Sequence, residues 1–252
     1  PFFFLHGQTK AELALHCYPL ARALGADQPF YGLYSYTMLN DLRRGHMPSM
    51  EEVAAVHVKT IRSIQPEGPY LIGGFCNGGM MAYAIGRQLR AEGQKVDLLV
   101  SIDPDFLVYA LPYRVYYAAF QLVGKLFRLS ETRQVYWGLD LKHIVRCLFY
   151  KVLRKTDPDP LTFANLHEDY NRLFDWLALG YRPSGIYEGK LTLFWAQEGD
   201  DVNVLRTGWR EVEAKGNVEI HSIPGSHQTC KTEYLSVLAE HLADCIQRAQ
   251  RP

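Results

Sequence analysis

An excess of charge of either sign is missing from this chain. Lys+Arg and Asp+Glu number 27 each among 252 residues, for zero net charge, which excludes a globally basic nucleic-acid binder. Only 21% of the residues are charged against 48% hydrophobic, so the chain is not a polyelectrolyte that stays unfolded. Paired cysteines are missing too. The five present, Cys17, Cys76, Cys147, Cys230 and Cys245, are odd in number and far apart, and no CxxC occurs. A disulfide scaffold and a cysteine zinc site are thereby excluded, and a reducing, cytoplasmic setting is expected. No basic segment precedes the opening Pro1-Phe2-Phe3-Phe4-Leu5, so no secretory signal is read there. A start directly on an apolar run leads us to expect a piece of a longer protein. Clean apolar runs of membrane length are lacking as well: Phe106–Phe127 comes nearest, but it holds Pro112, Arg114, Gln121 and Lys125, and no membrane span is expected. Repeats and low-complexity tracts are absent. What remains is enough apolar material for one large domain over residues 1–252.

What is present is an alternation of short apolar runs with amphipathic stretches. Strands are expected at Phe2–Leu5, Phe30–Tyr36, Pro69–Gly73, Val96–Ile102, Leu191–Trp195 and Val218–His221. Helices are expected at Ala11–Leu24, Met50–Ile64, Asn77–Ala91, Val204–Lys215 and Thr232–Arg248. Strands that alternate with helices in this way imply an α/β fold, a parallel sheet with helices on both faces. Between Pro104 and about Gly185 the strand signal disappears, and helical periodicity shows in Tyr113–Leu129, Leu141–Leu153 and Phe163–Leu179. The core is therefore read as residues 1–103 and 186–252, with an insertion over about 104–185. An insertion that long usually has a function.

The chemistry concentrates in Gly73-Gly74-Phe75-Cys76-Asn77-Gly78-Gly79, between a strand and a helix. The frame Gly74-x-Cys76-x-Gly78 is that of a nucleophile elbow, with Cys where Ser is usual. Glycines two residues before and after are needed because the strained turn brings neighbouring backbone onto those positions. Such flanking falls around one of five cysteines by chance only about 3% of the time. The turn also sets the side chain at a helix N-terminus, where the dipole favours a thiolate. Phosphate-loop readings fail. The dinucleotide spacing of glycines is not met, and the residue after Gly78 is Gly79 where the Walker pattern needs Lys.

A nucleophile needs a base, and the base an orienting acid. Of nine histidines, His227 in Ile223-Pro224-Gly225-Ser226-His227 follows the last strand, on a loop that this fold returns to the elbow. His6 reads as loop structure near the oxyanion site. His57, His143 and His167 fall inside helical patterns and read as structural or solvated. Asp103, at the tip of the strand beside the elbow strand, is favoured as the acid, with Asp200 or Asp201 after the Trp195 strand as the alternative. Two backbone N–H groups should meet the developing oxyanion: that of Asn77 and that of Gly7 or Gln8.

These residues together carry a resemblance. Phe3-Phe4-Leu5-His6-Gly7, Gly68-Pro69-Tyr70-Leu71-Ile72-Gly73-Gly74-Phe75-Cys76-Asn77-Gly78-Gly79, Ser101-Ile102-Asp103 and Pro224-Gly225-Ser226-His227 resemble the thioesterase domains that end nonribosomal peptide and polyketide synthases. The resemblance runs over essentially the whole chain. It implies an α/β-hydrolase fold, a mostly parallel sheet flanked by helices, with the 104–185 insertion as a helical lid. It implies Cys76 as nucleophile, His227 as base and Asp103 as acid. It implies no bound cofactor and no metal, and a substrate delivered as a thioester on the phosphopantetheine of an acyl or peptidyl carrier protein, upstream in the same polypeptide. Cys76 departs from the Ser of most members, and the minority with Cys is associated with strained-ring and amide formation. Cyclisation or aminolysis is therefore expected ahead of hydrolysis. A stand-alone editing thioesterase, a Dieckmann-type cyclase and a catalytically silent binding module of the same fold stay open as alternatives. Between Pro112 and Lys155 nine Lys/Arg stand against two acids, Glu131 and Asp140, a basic stretch suited to an acidic carrier.

Overall fold

Six parallel strands in the order β2-β1-β3-β4-β5-β6 form the sheet. They are β1 (Phe2–Leu5), β2 (Phe30–Leu33), β3 (Tyr70–Phe75), β4 (Val96–Ile102), β5 (Lys190–Ala196) and β6 (Asn217–Ile223). The computed structural model describes residues 1–7, 17–34, 36–104, 111–152, 166–183, 185–199 and 202–251, with 202–204 as backbone only. β1 and β3 are buried along their whole length, which explains their unbroken apolar runs: a central parallel strand has no solvent face. The edge strands β2 and β6 are largely half-exposed or exposed.

The helices are α1 (Tyr18–Leu24), α2 (Leu39–Arg43), α3 (Met50–Ile64), α4 (Asn77–Ala91), α5 (Leu111–Leu126), α6 (Glu131–Val152), α7 (Tyr170–Gly180), α8 (Val202–Thr207), α9 (Arg210–Lys215) and α10 (Leu235–Gln250). α3 shows why this sequence folds as it does. Met50, Val53, Ala54, His57, Val58 and Ile61 are buried, a spacing that lines one face of a helix. Glu51 and Glu52 lie in its first turn, where the helix dipole favours acids. Across the sheet, Leu20 of α1 and Leu238, Leu242 and Ile246 of α10 join Phe2, Phe4, Leu71, Val100 and Phe194 in one apolar cluster.

The chain folds into two compact units, Pro1–Tyr36 with Met50–Val108 and Arg182–Pro252, and Thr37–Ser49 with Tyr109–Tyr181. The first holds the sheet. The second is helical among its described residues. Trp176 of α7 meets the rings of Tyr116, Tyr117 and Phe120 of α5. The Thr132 hydroxyl donates to the Leu42 carbonyl at 2.7 Å, and Glu131 accepts the Met47 N–H at 2.8 Å, which fastens the short α2 segment to α6.

Three elements differ most from expectation. α2 falls in a stretch with too few apolar repeats to signal a helix. α6 begins at Glu131, ten residues before the periodicity at Leu141, because its first half buries only Gln134, Val135, Gly138 and Leu139. The Val204–Lys215 helix is two helices, broken at Gly208-Trp209.

Sheet order decides where a site can form. The chain runs out from β1 to β2, crosses back past β1 to β3, and continues through β4, β5 and β6. The winding reverses between β1 and β3, and ligand crevices in open parallel sheets lie at the carboxyl ends of the strands at such a switch point. Leu5 pairs with Gly74 and Phe75 with Ile102, so Gly7, Cys76 and Asp103 all emerge at that edge.

Candidate active site

Cys76 occupies the turn between β3 and α4 with φ 57° and ψ −129°, a backbone conformation costing roughly 1–3 kcal/mol for a residue with a side chain. Its N–H donates to the Ile102 carbonyl at 3.0 Å, and its own carbonyl accepts the Gly79 N–H at 2.9 Å. The flanking glycines are forced by close approach. A Cβ on Gly74 would lie 2.1 Å from the Gly78 carbonyl oxygen, and one on Gly78 would lie 2.2 Å from that of Leu5. Gly7 is pressed against the same turn: a Cβ there would stand 2.5 Å from the Cys76 Cβ and 3.0 Å from the Asn77 Oδ1. Gly7, Cys76 and Asn77 thus share one small volume at the N-terminus of the 15-residue α4. Gln8 lies outside the described residues.

His227 reaches this volume from beyond β6. Its loop is held by small polar residues: the Ser226 N–H donates to Thr229 Oγ1 at 2.7 Å, and the Glu198 N–H donates to the Gly225 carbonyl at 2.9 Å. The imidazole Nδ1 lies 2.5 Å from Asp103 Oδ2. Asp103 is buried at 1% exposure, and its other oxygen accepts the Ala196 N–H of β5 at 3.2 Å. The carboxylate is therefore fixed by a neighbouring strand before it meets the ring. Burial by itself would lower the His227 pKa, but hydrogen bonds to Asp103 and then Cys76, with the charges of both, raise it to about 9. With Nδ1 on the carboxylate, Nε2 is the nitrogen left for the sulfur. Sulfur, imidazole and carboxylate in that order can pass a proton and hold an ion pair, as nucleophile relays do. Of the acids weighed for the orienting place, Asp103 is the one beside His227; Asp200 and Asp201 lie outside the described residues.

Burial pushes Cys17 up to about 11 and Cys230 up to about 12, and raises Cys245 as well. Cys147 is exposed, with its sulfur 3.5 Å from His143 Nε2. His6 lies at the rim, its Nδ1 2.6 Å from the Gly7 carbonyl. His57 is buried and held down at about 4 by burial.

One residue escaped the sequence reading. Lys231 sets its Nζ 4.5 Å from the ring centroid of Phe75, the residue before Cys76, and the charge of Cys76 acts on it. Its separation of four residues from His227 was the available signal. Among the described residues, one group has metal-ligand character: Glu219, His221 and Cys245, with ligand atoms within 4.8 Å of one another. Two of the three, Glu219 and Cys245, are engaged by cations already. Arg248 Nη2 lies 2.8 Å from Glu219 and 3.2 Å from Cys245 Sγ, and Lys190 Nζ lies 2.6 Å from Glu219. No helix among the described residues is long and apolar enough to cross a membrane.

A family model described as "Thioesterase domain" matches residues 16–138, which include Cys76 and Asp103. The malpibaldin synthetase of Mortierella alpina is 26% identical over 253 residues, covering 99% of this chain and 4% of the synthetase. Over residues 16–138, just under half of its length, the chain is similar to the thioesterase domain family. The polyketide synthase PksR of Bacillus subtilis is 36% identical to this chain over 106 residues, covering 42% of this chain and 4% of PksR. The chain thus spans 4% of the length of each of these two relatives. The NocB thioesterase domain, solved in covalent complex with a fluorophosphonate nocardicin G analog, shares the fold. It superposes with a TM-score of 0.59 at 23% identity and covers 100% of this chain and 94% of its own.

Proposed function

We propose that this thioesterase domain releases an acyl or peptidyl chain from the phosphopantetheine thioester of a carrier protein, through an acyl group held on Cys76, and that release proceeds by cyclisation or aminolysis ahead of hydrolysis. The observation that carries this reading is the His227 imidazole between the Asp103 carboxylate and the Cys76 sulfur. The Cys76 thiolate attacks the thioester carbonyl, and the carbonyl electrons move to oxygen in the volume shared with Gly7 and Asn77. Return of those electrons expels the pantetheine sulfur, which takes the proton from His227. Neutral His227 next accepts a proton from an amine or hydroxyl of the chain, the new bond forms at the acyl carbon, and the bond to Cys76 breaks. A serine in this place would hold the chain as an oxoester. Sulfur keeps it as a thioester, still activated, so a weak or geometrically strained nucleophile suffices.

The carrier and its chain are inferred from relatives that are a polyketide synthase and a synthetase. The four-domain nonribosomal peptide synthetase AB3403 supports a place in one polypeptide with the carrier, since it includes a region of this fold at a TM-score of 0.60. We assign residues 104–185 the part of a lid, and the reaction no bound cofactor beyond the arm that brings the substrate. The test is incubation with a carrier-bound acyl chain, read by intact mass and product analysis. An acyl adduct lost in Cys76→Ala and a cyclic or amide product are expected. A linear acid alone would refute cyclisation, and an adduct that persists in Cys76→Ala would refute the nucleophile.

A further inference from the structure

Phe75 is the hub of this inference. Its ring is buried at 3% exposure, one residue before Cys76. Three nitrogen-bearing side chains meet it: the His227 ring at 4.6 Å, the His6 ring at 5.5 Å, and the Lys231 ammonium 4.5 Å from its centroid. An ammonium over an aromatic face is attracted by the ring quadrupole, so Lys231 is located rather than swinging free. It ends the short 3-10 turn Thr229–Lys231 that directly follows the His227 loop. Burial lowers the Lys231 pKa, and the charges of Cys76 and then Cys230 act against that. Cys230 is itself buried and pushed up to about 12, and of the two cysteines whose charge acts on this ammonium Cys76 is the larger influence. Among the described residues, Asp103 and Cys76 act on His227, Cys76 and Cys230 act on Lys231, and His6 lies against the Phe75 ring.

We propose that Lys231 is a positioning residue for the Cys76 thiolate, a second cation that keeps the sulfur anionic without taking the proton carried by His227. The inference rests on Cys76 as nucleophile and adds what a sulfur at this position needs. In the loading step two sulfurs compete for one proton, that of Cys76 and that of the departing pantetheine. A fixed ammonium near Cys76 lets its sulfur stay charged, so the His227 proton goes to the pantetheine sulfur. In the release step the bond to Cys76 breaks with its electron pair on sulfur, and the same ammonium receives that charge while His227 holds the proton from the incoming nucleophile. A serine oxygen gains nothing comparable, because an alkoxide is far too basic to persist and must take a proton to leave.

The experiment compares Lys231→Met and Lys231→Arg in the full chain carrying Cys147→Ser, which removes the exposed thiol. Iodoacetamide alkylation of Cys76 is followed by peptide mass between about pH 5.5 and 9.5, and acyl loading from a small thioester is measured in Cys76 and in Cys76→Ser backgrounds. Lys231→Met is expected to slow alkylation about tenfold near pH 7, the effect of losing one nearby opposite charge, with the gap closing toward high pH. Lys231→Arg should restore the rate. Acyl loading should fall about tenfold with Cys76 and less than about twofold with Ser. A loss equal at every pH, or equal in both backgrounds, would reduce Lys231 to packing and overturn the inference. Unchanged alkylation with a raised KM for carrier-bound substrate alone would overturn it in favour of anion docking. Should Lys231→Met not fold, Lys231→Gln supplies the neutral comparison. Failure of the unaltered protein to form an acyl adduct on Cys76 would remove the nucleophile reading itself, a result separate from any effect of Lys231.

Discussion

Adding one methyl at Gly78 should damage stability and chemistry together, by amounts the geometry sets. The new Cβ would lie 2.2 Å from the Leu5 carbonyl oxygen, 2.8 Å from the carbon of that carbonyl and 3.1 Å from the Gly7 nitrogen. All three are backbone atoms, so no side chain can turn aside. Relief of roughly 1 Å must come from the end of β1 or the start of α4. β1 is clamped between β2 and β3, and α4 buries Asn77, Gly78, Gly79 and Met80 in its first turn. Overpacking of a well-filled interior costs about 1–3 kcal/mol, and a contact with rigid backbone belongs at the upper end. For a domain of this size about 3 kcal/mol corresponds to a fall in Tm of roughly 6–12 °C. The same shift moves Gly7 relative to Cys76, and a misplacement of about 1 Å at reacting groups costs about a hundredfold in rate. Calorimetry of Gly78→Ala together with burst acylation from a small thioester measures both. A variant with unaltered Tm and unaltered burst rate would refute the close packing of β1 on the elbow and, with it, the assignment of Gly7 to the oxyanion site.

Asp103→Asn should lower acyl loading by about 10³–10⁴-fold, the scale seen when an orienting carboxylate is neutralised. Because Asp103 helps hold His227 at about 9, the alkaline limb of the pH–rate profile should move toward acid in that variant; a limb left in place would exclude His227 as its source. His57, held down at about 4 against an ordinary 6.5, takes a proton more readily in the unfolded chain. Stability should therefore decline as pH falls from about 6.5 toward 4, by up to about 3 kcal/mol, and His57→Met should flatten that part of the Tm–pH curve. The His227 shift is of opposite sign: its contribution is complete below about 6.5 and is lost as pH rises through about 9. His227→Ala should remove the alkaline decline in Tm and leave the acid decline intact. Charge reversal at Arg146, Lys151 and Arg154 should raise KM for carrier-bound substrate and leave KM for a small free thioester unchanged; equal changes in both would exclude carrier docking on this basic stretch.

Strands and the elbow were legible because their causes are local. Phe2–Leu5 and Val96–Ile102 match their expected bounds, as do the helices Met50–Ile64 and Asn77–Ala91, since buried parallel strands and one-sided helices write themselves into the sequence as apolar runs and as 3.6-residue periods. Gly74 and Gly78 were readable for the same reason, each answering to backbone within a few residues or on the adjacent strand. The approach of His227 to Asp103 spans 124 residues and was inferred only from where strand ends gather in such a sheet. Asp103 was favoured over Asp200 and Asp201 from its place beside the elbow strand, although all three follow strands; the Ala196 N–H that fixes Asp103 belongs to another strand altogether. Lys231 left no trace in composition or period, since its relevance comes from the Phe75 ring on a distant element. α6 shows the converse failure. The apolar repeat that announced it includes Leu141, Ile144, Val145, Leu148 and Phe149, all exposed, so the repeat located a helix without saying which of its faces is buried.

Whether oxygen or sulfur stands at position 76 is a matter the backbone does not decide. The closest approaches at Gly74, Gly78 and Gly7 fall on main-chain atoms or on the Cys76 Cβ, and Ser and Cys are identical that far. The distinction lies in the charges around the side-chain tip. A hydroxyl asks its surroundings for a base at the moment of attack. A thiol asks for cations that tolerate a standing negative charge; here a histidine held at about 9 is hydrogen-bonded to the sulfur, and a lysine lies over the ring of Phe75, the residue before it. That electrostatic setting, rather than the fold shared with the NocB thioesterase domain, is what ties the proposed release chemistry to this sequence.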